Sequence, residues 1–226
     1  MTEWWSYRLS DFLLFSPRTY HRLFELYNAA VWPAQVAAVL LGLLMLVLLR
    51  RGGPVAGPAV AAILAACWAW VAIAFHLDRY ATINWGAPWL AAGFLAQAAL
   101  LVWAGVIDGR LSAPSRLDAA GRAGVGIFLF ALLLQPAIGL LLGRPWRQAE
   151  IFGIAPDPTA IGTLGLLLAL AGPARWVLMV LPALWCVVTG ATLRAMSAPE
   201  AWVAPAAALL ALALAVWQGL LRRRSI

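Results

Sequence analysis

Between residues 31 and 221 seven apolar runs follow one another with only short polar links, and this succession leaves the chain few ways to fold. The runs cover about residues 33–49, 58–75, 89–107, 123–142, 159–171, 176–193 and 203–221. A backbone placed in hydrocarbon must satisfy its N–H and C=O groups internally, so uninterrupted runs of this kind are membrane-spanning helices. Composition agrees, since 64% of the 226 residues are hydrophobic and the mean hydropathy is +0.88, beyond the range of ordinary soluble domains. The expected fold is an all-α integral membrane protein of about seven hydrophobic helices. An interfacial amphipathic segment over residues 1–30 precedes a single bundle over residues 31–226. Neither a repeat nor a linker divides the bundle.

The fifth run departs from the others. At ~1.5 Å per residue, residues 159–171 cover roughly 20 Å, against a hydrocarbon core of about 30 Å. They are expected to form a short or re-entrant helix. The stretch from Arg144 to Leu168 (RPWRQAEIFGIAPDPTAIGTLGLLL), which leads into it, is the least generic of the chain. Asp157 is placed to cap the helix, and Pro158 suits the first helical position because it has no N–H to leave orphaned. A short, glycine-punctuated segment with a polar entrance points to a membrane binding site.

Near the N-terminus, Trp4, Trp5 and Tyr7 are side chains that favour the headgroup level. Ser16-Pro17 then reads as a helix start. Tyr20, Leu23, Phe24 and Tyr27 recur on one side of that helix, while Arg18, His21, Arg22 and Glu25 occupy the other. Such a helix either anchors at the interface or acts as a lid whose polar face closes a cavity. No cleavable signal is expected, because the first apolar run starts behind this charged segment.

The net charge of +7 comes from arginines scattered over short links, with no lysine, and offers no soluble basic face for nucleic acid. Seven crossings would put nine arginines on one side and seven on the other, which favours a cytoplasmic C-terminus by a narrow margin. Cys67 and Cys186 lie within apolar runs and read as packing residues. His21 and His76 have no second pair and no Cys or Met partner that would suit haem. No metal, cofactor or catalytic residue is expected. The sequence carries no nucleophile elbow, zinc-binding HExxH, P-loop or mid-span carboxylate pair.

Two crossings separate the N-terminal helix from the 76–85 link, and two more separate that link from the 144–157 approach. All three therefore share one face. The expectation is a polar and aromatic vestibule on that face, floored by Gln97 and Gln135, with Trp68, Trp70 and Trp185 in the same half of the bilayer. His76, Asp78, Arg79, Arg147, Glu150, Asp157 and Thr159 would surround its mouth. Arg18, His21, Arg22 and Glu25 would form the lid. The alternative for the two glutamines is that they bond across helices and hold the bundle together.

The function expected is that of a small-solute permease or channel-like protein. The alternative is a non-catalytic accessory or scaffold subunit whose polar face docks a partner membrane protein. Four-residue spacing of small side chains, Ala61/Ala65/Ala69 and Ala207/Ala211/Ala215, permits a homo-oligomer as readily as packing within one bundle.

The stretches SDFLLFSPRTYHRLFELYNAAVWPAQ and FGIAPDPTAIGTLG, with Ile83-Asn84-Trp85 and Pro182-Ala183-Leu184-Trp185-Cys186, resemble a bacterial family of integral membrane proteins of about this length. That family is known as a domain of unknown function. The resemblance covers nearly the whole chain and implies a bacterial inner-membrane protein. It brings no substrate, cofactor or catalytic residue with it.

Overall fold

The computed structural model describes residues 15–224, with side chains up to residue 221. The expectations for Trp4, Trp5 and Tyr7 lie outside the described residues. Helix α1 (Pro17–Ala30) begins where the sequence places it. The Ser16 hydroxyl accepts from the Thr19 amide at 3.2 Å, and Pro17 fills the first turn. The stripe Tyr20, Leu23, Phe24 and Tyr27 is buried, and what it meets is protein. Phe24 and Tyr27 pack on Phe75 with ring centroids 5.1 and 5.5 Å apart, and Tyr20 stands 6.2 Å from Tyr80. The helix thus sits on one end of the bundle.

The remaining helices are α2 (Ala34–Arg51), α3 (Ala56–Trp70), α4 (Ala87–Leu100), α5 (Ala119–Leu129), α6 (Gln135–Leu141), α7 (Pro156–Ala169), α8 (Arg175–Ala195) and α9 (Val203–Arg224). Wider π-helical turns extend α3 through Val71–Leu77 and α4 through Leu101–Ile107. A third, Phe130–Leu134, joins α5 to α6 just before Pro136, which has no N–H for an ordinary helical bond. Counted as continuous rods, six helices among the described residues are long and apolar enough to cross a membrane. Their outward faces carry exposed Leu40, Leu44, Val180, Val187, Leu209 and Leu210, the side chains hydrocarbon would cover.

The seventh, α7, is the short one, and all 14 of its residues are buried. It is packed by α5, α8, α9 and α3. The closest approach is to α5, where Gly165 faces Gly124 backbone to backbone. Beyond α7 the chain turns extended at Leu170, and Ala171 exchanges two 2.9 Å backbone hydrogen bonds with Ser112 in the α4–α5 link. That link also pairs Ala113 with Gly53 at the end of α2. So α7 starts beside α1 and ends at the opposite end of the bundle, with extended residues making up the length its helix lacks. It passes through and does not double back.

Candidate functional site

The segment that leads into α7 is fastened on both sides. From α1, Asn28 donates through Nδ2 to the carbonyls of Arg147 and Ala149, both at 2.9 Å, and the Tyr27 hydroxyl donates to the Ile154 carbonyl at 3.1 Å. Trp70 Nε1 donates to the Tyr27 hydroxyl at 2.9 Å. From α7, the Thr159 hydroxyl accepts from the Gly153 amide at 2.9 Å and donates to the Ala155 carbonyl at 2.6 Å. These bonds satisfy an irregular backbone that would otherwise be costly to bury.

Asp157 plays another part than the capping expected of it. The helix starts two residues earlier, at Pro156, its N-cap is Ala155, and no side chain caps it. The carboxylate turns to α8 instead, where it accepts from Trp185 Nε1 at 2.8 Å and from the Thr189 hydroxyl at 2.9 Å. It still lies in the first turn, where a negative group is favoured by the helix dipole. Replacing Asp157 with Leu leaves two buried donors without an acceptor, at about 1–3 kcal/mol each. Asp157→Leu is therefore expected to melt well below the wild type in detergent, with Trp185→Phe losing less; equal melting of all three proteins would contradict the assignment.

Around this head of α7 the charges concentrate. Arg144 forms an ion pair with Glu200 at 2.6 Å through Nη2 and meets His21 Nδ1 of α1 at 2.9 Å through Nη1. Burial, and then the nearby Arg144, push the His21 imidazole down to about 4, with Glu200 opposing. Glu150 moves the other way, held well above the usual carboxylate range by burial and by Asp157 and Glu200, with Arg144 opposing. A cavity of about 30 Å³ lies among Gln135, Arg144, Gln148, Glu150, Asp157 and Glu200. Three buried oxygens of its lining have no hydrogen-bond partner: Gln135 Oε1, Glu150 Oε2 and Glu200 Oε2. Gln135, 8% exposed, is buried beside the Pro136 turn.

The other residues expected at a vestibule are distributed more widely. Gln97, fully buried, donates through Nε2 to the Leu178 carbonyl of α8 at 2.9 Å, a bond across helices. Trp68 donates to Thr163 at 2.9 Å, and Thr163 donates to the Thr159 carbonyl at 2.7 Å, which ties α3 to α7. Arg18, Arg22, Glu25, Asp78 and Arg79 border a separate surface groove of about 730 Å³, with Arg22 and Glu25 paired at 2.6 Å. Arg147 borders a third, largely apolar groove of about 920 Å³ between α1 and α2. Glu200 and Gln148 are not marked out by the sequence, whereas Thr189 falls in the same half of the bilayer as Trp185 on a seven-span count. Glu200 is a lone acid in the last link, and no local pattern announces its pairing with Arg144.

His76 lies on the π-helical turn after α3, enclosed by the rings of Phe75, Tyr80, Phe94 and Trp185 at 4.6–5.9 Å, and neither of its ring nitrogens has a partner. A buried polar group without a partner costs about 1–3 kcal/mol, so His76→Phe is expected to raise the melting temperature. A fall would show that the imidazole holds a bond through water. Among the described residues no three His, Cys, Asp or Glu side chains are grouped to hold a metal ion.

Apolar rods around a buried short helix, with the polar residues of one end converging on its head, define a multi-pass α-helical membrane protein. A family model matches residues 18–225, and the chain belongs to that family, DUF6064, a family of unknown function. No curated protein and no solved structure matches the chain.

Proposed function

We propose that this is a small-solute permease of the bacterial inner membrane, with the cavity at the head of α7 as its substrate site. The observation that carries the reading is a small cavity beside a short central helix, lined by Gln135, Arg144, Glu150, Asp157 and Glu200, three of which keep a buried oxygen without a partner. Buried polar groups are normally paired, and polar residues within a bundle that are left open mark a pathway or a ligand. Short helices ending at a polar cavity are the form such sites take in transporters. The test is flux of small solutes into vesicles reconstituted with purified protein. Gln135→Leu is expected to abolish uptake while leaving a folded, monodisperse protein, since Gln135 has no side-chain hydrogen bond to lose. Undiminished uptake in that variant would remove the cavity from the path.

A docking role has one observation in its favour, the charged groove where Arg18, Arg22 and Arg79 surround the outer face of α1. On that reading Arg18→Glu with Arg22→Glu releases a co-purifying membrane protein, whereas an unchanged pull-down speaks against docking there.

A further inference from the structure

We propose that the apolar groove between α1 and α2 holds one anionic phospholipid, with its phosphate at Arg147 and Arg22 and an acyl chain laid along α2. The site is separate from the cavity at the head of α7 and does not depend on the permease reading.

Level in the membrane comes first. Trp32, Trp85, Trp89, Trp146 and Trp202 all stand where the chain enters a helix at the end of the bundle that carries α1, and each is more than half exposed. Indole rings gather at the headgroup level of a bilayer, so these five mark that level. Trp32 and Trp146 belong to the lining of the groove. From them the groove descends along α2 through Val36 and Val39 to Leu40. Leu40 follows the helix start at Ala34 by six residues, which is roughly 9 Å deeper at the helical rise. Surface at that depth meets acyl chains. The lining therefore changes from charged to apolar in the same direction as a lipid does.

Charge supplies the selectivity. Arg22, Arg147 and Glu25 are the charged residues of the lining. Glu25 pairs with Arg22 at 2.6 Å, so the mouth keeps one positive charge in excess. Arg22 and Glu25 also border the neighbouring groove, where Arg18 and Arg79 are set against Asp78. Along this edge of α1 four arginines thus stand against two acids. A guanidinium matches phosphate oxygens with a planar fork. Arg147 is presented by a fastened backbone, since its carbonyl accepts from Asn28 Nδ2 of α1 at 2.9 Å. A zwitterionic headgroup brings its own cation to this edge and gains less. Size excludes a free phosphate as the occupant. A groove of about 920 Å³ lies at the upper end of the range for bound organic molecules, and a small anion would leave its apolar length unfilled.

The test is native mass spectrometry of the delipidated full-length protein in detergent, titrated with phosphatidylglycerol or with phosphatidylcholine of the same acyl chains. One phosphatidylglycerol is expected to bind about tenfold more tightly than phosphatidylcholine, and Arg147→Gln should remove about fivefold of that preference. Arg194→Gln, which removes an exposed arginine at the same end but outside the groove, should leave the preference unchanged. Val36→Trp fills the apolar part and should weaken both lipids. Arg147 and Val36 are exposed, so both variants are expected to melt with the wild type. Glycerol phosphate, a headgroup without chains, should not displace the lipid. Equal binding of the two lipids, or a preference that survives Arg147→Gln, would reduce the groove to ordinary lipid contact and overturn the assignment. Displacement by glycerol phosphate would give the site to a soluble anion instead. A protein dimer that takes up no lipid would give it to a second copy of the chain.

Discussion

Gly165→Ala is expected to lower the melting temperature by about 6–12 °C, and Gly165→Leu to yield no monodisperse protein. A Cβ at Gly165 would stand 2.6 Å from the Gly124 carbonyl oxygen and 2.7 Å from the Phe128 amide nitrogen, both backbone atoms of α5. No side-chain rotamer relieves a collision with backbone, so the two helices must separate or the substituted one must shift. Overpacking a dense interior costs about 1–3 kcal/mol when side chains can adapt, and here the cost falls at or above the upper figure. The reciprocal Gly124→Ala meets the Gly165 carbonyl at 2.5 Å and should behave alike. Gly93 and Gly126 provide the contrast, since a Cβ at either meets nothing within 4 Å. Alanine there should gain the ordinary helical preference, about 0.5–1 kcal/mol. Wild-type melting of Gly165→Ala would mean that α5 and α7 are not in backbone contact.

The second large effect belongs to Arg144. Its guanidinium is the one basic group in the cavity lining, set against three carboxylates and bonded to Glu200 and His21. Removing one partner of a buried ion pair costs about 3–5 kcal/mol, because the charge left behind is neither solvated nor paired. Arg144→Ala should therefore melt far below the wild type at pH 8. At pH 5 the deficit should shrink. Glu150 has its proton affinity raised in the folded state, so its contribution to stability is fully present below the ordinary carboxylate range and is lost as pH rises through its raised value. Losing Arg144 raises that affinity further and so steepens the loss on the alkaline side. A deficit under about 1 kcal/mol, as for a surface pair, would show that the cluster is open to water. Arg144→Lys should recover only part, since an ammonium lacks the planar fork that reaches two partners at once.

Much of the architecture is readable before any coordinates. The apolar stripe of α1 is the buried set residue for residue, and Ser16 caps as its type and position require. The unusual length of α7 follows from counting. What α1 rests on is not readable, because an apolar face prefers lipid and protein alike over water and its sequence does not distinguish them. Asp157 shows the limit most clearly. Its neighbours in sequence favour a cap, while its actual partners are 28 and 32 residues further along the chain. Tertiary hydrogen bonds of that kind leave no local pattern. The π-helical turns are similar, for only the one before Pro136 has a residue that would suggest it. Gln97 and Gln135, alike on paper, separate in the fold because one reaches a carbonyl of α8 and the other meets a cavity.

The seclusion of α7 bears on how the protein is made. A span with a lipid-facing side can remain in the bilayer as soon as it leaves the ribosome and the translocon. With 14 residues and no exposed side chain, α7 has no such hold of its own. Two of the helices that enclose it, α8 and α9, are translated after it. Its place in the membrane is thus fixed by assembly, as later helices close around a segment that has been waiting for them, and the polar head of α7 is completed only when Glu200 follows α8 out of the ribosome.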